Sequence, residues 1–537
     1  VRDRRYALLA ALIAIAAFLP ALWSGFVYDD HRFYEGNPHL SHASILWRAF
    51  ADPVCQTADG TEAGLWRPLR TLSFAFDHAL FGDSAVGPHA VNVLLHGAGA
   101  ACLFALLRRL GAGAWAALAG AALYALHPAQ AETVAWISSR GDLLAMAGVL
   151  GALVAAHDER PRTALALGTA ALLAKEQAVV WPALAFVAAR MSGRTLSESA
   201  RRALAPAIAV VVFVGIRHAL LAEPTQQGGL GEGHAGLRDL AAMFGHQAWY
   251  AVFPVGTLFD WQMPAHELPL PAAIVFIAAS AAAVWRPTRL PVLWFAVALV
   301  PTLFIQAFMP LNILVADRFL LFALPALAIG GARAWDRGAA APVVAGVLCL
   351  GALTEAQIPV WRSDVTLWTR TADRVPGHPR ANHWLGLESL RAGDLTDAVE
   401  RLHVAAEADP GSAKTRFHYA SALERQGKTT NDPAMLMDAC AEYQQAAALC
   451  ADPRAEGAPE IRPLALVAAV FTAVVGGEDE IGAGGVRRLL AVPRPPVPER
   501  VRDAWESRIE SLALAAEVHA LLGKDVAAQV REWGRLP

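Results

Sequence analysis

Long apolar runs separated by short, arginine-bearing loops fill the first two thirds of the chain, and they leave few folds open. About 20 mostly apolar residues make a helix that crosses a bilayer, and inside lipid only helices or closed barrels satisfy their own backbone. Eleven such runs occur, at 6–26, 89–107, 113–126, 141–156, 163–175, 177–190, 203–222, 270–285, 290–309, 319–334 and 339–358. The segment 239–257 is also apolar, but His246, Gln247, Tyr250 and Pro254 interrupt it, and it reads as an interfacial or re-entrant element. The first run follows Arg2, Arg4 and Arg5 and has no small-residue cleavage site after it, so it reads as a retained span. The expected fold class is all-α: a polytopic helix bundle at 1–358, then a soluble helical domain. Only 17% of the 537 residues are charged, where a soluble domain carries about 25%. A net charge of −3 argues against nucleic acid as a partner.

Arginine distribution sets the orientation. Arg108 and Arg109, Arg160 and Arg162, Arg190 to Arg202, Arg286 with Arg289, and Arg333 with Arg337 occupy alternate loops. With these loops and the N-terminus cytoplasmic, everything after 358 lies outside. The opposite loops, 27–88, 127–140, 175–177 and 312–318, then hold nearly all the acidic, His and Asn residues of the membrane half. Charge next to a bilayer is expensive and commonly functional, so this face is where a site is expected.

Past 358 the texture changes to amphipathic helices with ordinary charge. The segments 382–410 and 417–453 carry the small and large positions of a tetratricopeptide unit, with Gly393 and Gly427 one unit length apart. About seven residues within 428–437 are inserted in the second unit, and 454–537 reads as degenerate or capping helices. Five scattered cysteines form no disulfide framework, and no His or Cys spacing suits a metal.

Asp29 and Asp30 directly follow the first span. Taken alone, adjacent carboxylates there are a helix cap, a pair of metal ligands or a general base. Arg318, Lys175, Arg140 and Arg67 are the cations of the same face, suited to a phosphate or, for Lys175 and Arg140, to snorkelling at span ends. His127, Glu132, Asp142, Glu176 and His89 are the remaining polar candidates there. His89, Asn92 and His96 form a helical stripe that fits interhelical hydrogen bonding.

The segments SGFVYDDHRFYEGN, WRPL, HAVNVLLH, LHPAQAETVAWISSRGDLLA, LLAKEQ, FPVGTLFDW, DRFLLFALPAL and VWRSDVTLWTRTADRVPGHPRANHWLGL occur in this order. Together they resemble the TMTC family, membrane O-mannosyltransferases with tetratricopeptide repeats, within the GT-C class of glycosyltransferases. The resemblance implies a polyprenyl-phosphate sugar as donor, with a hydroxyl acceptor on a protein or peptide held by the repeats. It makes Asp29 or Asp30 the general base of an inverting transfer and places Arg318, Lys175, Arg140 and Arg67 at the donor phosphate. His127, Glu132, Asp142, Glu176 and His89 would position sugar or acceptor. No cofactor is implied beyond the lipid-linked sugar itself; a divalent cation on Asp29 and Asp30 is left open by the sequence. The chain departs from the animal pattern in having Ala129 and Gln130 where a second His is usual. High Ala and Arg with little Lys points to a bacterial inner-membrane protein, its repeats periplasmic. The alternative is a membrane-anchored assembly scaffold with an inactive GT-C-like core.

Overall fold

The computed structural model describes residues 2–58, 64–221, 237–255, 288–308, 315–450, 458–475, 485–487, 489–491, 497–498, 501–518 and 526–535. Among these residues helices make up the regular structure and no strand occurs. The chain separates into two compact units, Val1–Leu367 and Trp368–Pro537.

The first unit begins with α1 (Arg2–Phe18), α2 (Asp30–Phe33), α3 (Ile45–Ala51), α4 (Pro68–Phe81) and α5 (Val86–Arg109). It continues with α6 (Ala114–Ala125), α7 (Gln130–Ala135), α8 (Arg140–His157), α9 (Pro161–Ala174), α10 (Trp181–Met191) and α11 (Leu196–Leu220). Then come α12 (Leu237–Val252), α13 (Arg289–Phe308), α14 (Pro325–Asp336), α15 (Ala340–Gln357) and α16 (Asp364–Arg374), the last carrying the boundary between the units. Local chemistry sets several starts. Pro68, Pro161 and Pro325 open their helices, where the missing N–H costs nothing. Thr195 and Glu198 form a reciprocal capping box for α11.

Five stretches are long and apolar enough to cross a membrane: Arg2–Trp23, Val86–Arg109, Ile137–His157, Leu196–Leu220 and Ala340–Trp361. They fall on five of the expected runs, and the chain is a multi-pass membrane protein. The other runs behave differently. Helices α6, α9, α10 and α14 have 12, 14, 11 and 12 residues. At 1.5 Å per residue they reach roughly 17–21 Å, well short of a hydrocarbon core of about 30 Å. Helix α13, with 20 residues, occupies the run expected at 290–309. Helix α12, with 16, stands in the expected interfacial segment and buries His246 and Gln247. The run at 270–285 lies outside the described residues.

Helix α5 is the central element, packing against α1, α6 and α8, while α8 lies along α9 and α6 along α14. Small residues permit these approaches. At Gly120 a Cβ would come within 2.6 Å of the Ala328 carbonyl of α14, so only glycine allows the two helices this close. The arginine loops gather at one end of the bundle. Arg108 pairs with Asp3 and Arg109 with Asp158, while Arg194 and Arg202 share Glu159. These pairs are exposed and add little stability, but they bring together the N-terminal residues and three of the arginine loops, at 108–109, 158–159 and 194–202; Arg286 lies outside the described residues.

In the second unit, helices Pro379–Ala392, Leu395–Ala408, Ala413–Thr430 and Pro433–Leu449 form two successive hairpins packed in order. His378, Asp394, Ser412 and Asp432 cap their starts with side-chain acceptors. Gly393 ends the first helix in the left-handed region, φ 82°. Gly427 does not end the third, which runs on to Thr430 and is capped by Asn431 at φ 53°. The insert is therefore taken up partly as extra helix. Helix Ala458–Val475 buries Val467 and Phe471 against Trp505 and Leu512 of helix Arg502–Val518.

Candidate active site

The polar residues of the loops opposite the arginine end come together around the turn that follows the first span. Tyr28 adopts a left-handed backbone, φ 55°, which a bulky side chain rarely takes. Its N–H donates to Asp364 Oδ1 at 2.8 Å, and His31 Nε2 lies 2.8 Å from Asp364 Oδ2. The Gly25 N–H donates to the Arg362 carbonyl, and Trp361 stacks on Trp136. The turn is thus laced to the segment following α15.

The two aspartates have separate surroundings. Asp30 is fully buried: Oδ1 accepts from the Ser138 N–H (2.7 Å) and hydroxyl (2.6 Å), and Oδ2 accepts from the Val27 N–H (3.1 Å). Burial raises its carboxyl to about 7 against these hydrogen bonds, and neighbouring Asp29 adds to the rise. Asp29 precedes α2, and its carbonyl accepts from the Arg32 and Phe33 N–H groups. Its side chain is only partly buried and lies within electrostatic reach of Arg67 and Arg70. With Asp30 occupied by three donors and Asp29 facing guanidinium groups, the pair does not fit a divalent cation. Among the described residues no cluster of three His, Cys, Asp or Glu suited to a metal occurs.

Each cation expected at a phosphate has a carboxylate partner. Arg67 grips Glu176 with two hydrogen bonds, 2.9 and 2.5 Å. Lys175 Nζ lies 2.7 Å from Asp142 Oδ2, both buried. Arg318 pairs with buried Glu132 through its side chain and its N–H, and its guanidinium lies over Trp136. Arg140 is enclosed: it pairs with Asp77 at 2.7 Å and donates to Ser73, Asn92 and the Pro88 carbonyl. Asp142 lies within electrostatic reach of Arg67, Lys175, Glu132 and Arg318, and so joins most of the set. The two histidines are spent on carbonyls, His89 on Gly25 and His127 on Ala251. The structure therefore gathers Asp29, Arg67, Glu176, Lys175, Asp142, Glu132 and Arg318 into one network, and sets Arg140, His89 and His127 into the packing behind it.

The order of these segments and their convergence can now be set beside known proteins. The chain is 36% identical over 183 residues to Protein O-mannosyl-transferase Tmtc2 of Drosophila melanogaster, covering 31% of this chain and 20% of that one. Drosophila Tmtc1 is 36% identical over 133 residues, 24% of this chain and 16% of the relative. Human TMTC4 is 28% identical over 202 residues, 32% of this chain and 27% of the relative. Over these segments the chain is similar to TMTC proteins. The matched segments span about a quarter or less of these relatives. No family model and no solved structure matches.

Three residues of this site escaped the reading by residue type. Ser138 precedes Arg140 by two residues and anchors Asp30; Asp364 holds the turn from far downstream; Arg70 lies one helical turn past Arg67. Arg70 had a signal: residues three apart share a helix face, so WRPLR aims two guanidinium groups the same way.

The His31–Asp364 contact makes a pH prediction. The Asp364 carboxylate raises the His31 imidazole to about 9, against burial and with help from Glu35. A raised histidine stabilises fully below its ordinary value near 6.5, and the contribution fades as pH climbs through about 9. Hydrogen exchange of residues 27–34 should be slower in the wild type than in His31→Gln at pH 7. The two should converge above pH 9; an unchanged gap would show that the imidazolium does not hold the turn.

Proposed function

We propose that the first unit is an inverting glycosyltransferase that moves mannose or another hexose from a polyprenyl-phosphate carrier to an acceptor hydroxyl on a protein. The observation that carries this reading is Asp29: a partly buried carboxylate within electrostatic reach of two arginines and beside a buried ion-pair network, in a chain similar to named O-mannosyltransferases. Asp29 is the general base. It takes the proton of the acceptor hydroxyl as that oxygen bonds to the anomeric carbon from the face opposite the phosphate. The bond from that carbon to the phosphate oxygen breaks, its electron pair leaves with the polyprenyl phosphate, and configuration inverts. The leaving group is already an anion of low basicity, so the site needs cations there rather than an acid. Arg67 and Lys175, with Arg318 beyond, supply that field. Asp30 holds the turn to Ser138 so that its neighbour stays aimed.

On this reading Glu132, Asp142 and Glu176 fix the cations and the sugar pocket rather than titrate. The site lies at the extracytoplasmic face, by the arginine rule. The second unit acts as tetratricopeptide-like repeats presenting the acceptor, and the setting is a bacterial inner membrane with that unit in the periplasm.

The test is transfer by the purified chain in lipid nanodiscs supplied with polyprenyl-phosphate mannose and candidate acceptor proteins, read by mass spectrometry of Ser and Thr residues. Hexose on defined hydroxyls, with consumption of the lipid-linked sugar, supports the reading. No transfer from any polyprenyl-linked hexose, with fixed-stoichiometry association with a partner complex, would replace it by the scaffold.

A further inference from the structure

Arg70 is about 1% exposed, and none of its three guanidinium nitrogens has a hydrogen-bond partner among the described residues. The guanidinium lies over the Phe33 ring, 4.3 Å from its centroid, with Phe74 at 5.7 Å. Burial draws its pKa down and Arg67 adds to this, while Glu176, Asp29 and Asp142 act the other way. Cation–π contact returns part of the cost of leaving water, but a guanidinium carries five donors, and unspent donors in a buried site are unfavourable. The other buried cations at this face have a carboxylate at hydrogen-bond distance. Arg70 has none, and it sits beside the base.

A second observation lies beneath it. A cavity of about 350 Å³ runs between α9 and α11, lined by apolar side chains apart from Thr169. It extends from Leu165 and Ala205 up to Trp66 and Ile216, roughly 16 Å along α11 at 1.5 Å per residue. Ile208, Val212 and Ile216 are half exposed along it, which opens it to lipid. Its upper end is Trp66, stacked on Phe213, and Arg217 of α11 donates there to the Gly64 carbonyl. Trp66 leads directly into Arg67 and α4, while α9 ends at Ala174, directly before Lys175. Gly141 packs closely between them: a Cβ there would come within 2.8 Å of the Ala174 carbonyl and would meet the Arg70 and Lys175 stems at 3.5 and 3.6 Å. An apolar slot open to the bilayer thus ends at Trp66, one residue before Arg67 and four before the unspent Arg70.

We propose that Arg70 binds the phosphate of an isoprenoid-phosphate lipid whose hydrocarbon tail lies in the groove between α9 and α11. The lipid class rests on the function proposed above; the residue and the groove rest on the geometry. A tail in the groove brings its head past Trp66, where Arg70 offers paired N–H groups to two phosphate oxygens. Arg67 and Lys175 already spend hydrogen bonds on Glu176 and Asp142, so Arg70 makes the direct contact to the phosphate while they add to the field beside it.

The test uses the full chain in nanodiscs, without sugar or acceptor. It is titrated with polyprenyl phosphate, polyprenol, phosphatidic acid or inorganic phosphate and read by native mass spectrometry and thermal shift. Wild type should bind polyprenyl phosphate at least tenfold more tightly than polyprenol or phosphatidic acid, and inorganic phosphate weakly. Arg70→Met should lose at least tenfold for polyprenyl phosphate and nothing for polyprenol. Its ligand-free melting temperature should hold or rise by a few degrees, because an unpaired buried charge is gone. Ala209→Trp, which fills the groove, should weaken polyprenyl phosphate and polyprenol alike. Arg70→Lys keeps the charge without the fork and should fall between wild type and Arg70→Met.

Wild-type affinity in Arg70→Met, or in Arg70→Lys if the methionine variant does not fold, would overturn the proposal. So would equal binding of phosphatidic acid, which would make the groove a general phospholipid site. Tight binding of polyprenyl phosphate with no sugar transfer would sink the enzyme reading alone. Transfer that proceeds with wild-type affinity in the Arg70 variants would sink this inference alone.

Discussion

Asp29→Asn is expected to cut sugar transfer by about 10²–10⁴-fold, the range a general base contributes, while the melting temperature and polyprenyl-phosphate binding stay at wild-type values. The amide keeps the size and polarity of the side chain but cannot take a proton from the acceptor. Asp30→Asn should behave in the opposite way. Its amide would turn N–H groups toward either the Ser138 donors or the Val27 N–H, leaving buried donors facing each other at about 1–3 kcal/mol. The expected result is a lower melting temperature with partial activity. The comparison is decided by assaying both variants and the double variant in nanodiscs. Full loss in Asp30→Asn with unchanged folding, and wild-type rates in Asp29→Asn, would reverse the two roles. Wild-type rates in all three would remove the base from the mechanism.

The second large effect belongs to Arg140. Arg140→Met should destabilise the first unit by about 3–5 kcal/mol, because it strands a buried carboxylate at Asp77. Arg140→Met combined with Asp77→Leu should recover only the part due to the stranded carboxylate, because the Asn92, Ser73 and Pro88 acceptors of Arg140 stay without its donors. Equilibrium unfolding in detergent measures both. A well-folded Arg140→Met that fails only to bind donor would instead place Arg140 at the phosphate.

Much of this was legible in the sequence for a simple reason: hydropathy and residue type are local. The five long spans and the gathering of acids and bases opposite the arginine loops follow from them directly. Pairing is not local. Lys175 with Asp142 and Arg318 with Glu132 lie 33 and 186 residues apart, so residues read as sugar-positioning acids turn out to neutralise residues read as phosphate-binding bases. The near balance of acids and bases at that face was the available hint, since buried charges need partners. Helix length is the other gap. A hydropathy window averages across breaks such as the one at Lys175 to Val180 between α9 and α10, so short helices pass for spans. His89 and His127 look reactive by type, yet each is spent on a backbone carbonyl that only the fold brings near.

Tyr28, one residue before Asp29, stands in a backbone conformation that costs an aromatic residue about 1–3 kcal/mol. What keeps it there is Asp364, which takes its N–H and the imidazole of His31 together. The turn that carries Asp29 is therefore cocked rather than merely placed, and one of its catches is Asp364, 336 residues from Tyr28. On the proposed mechanism, freeing that catch slackens the turn and lowers transfer without altering any residue assigned to sugar, phosphate or acceptor.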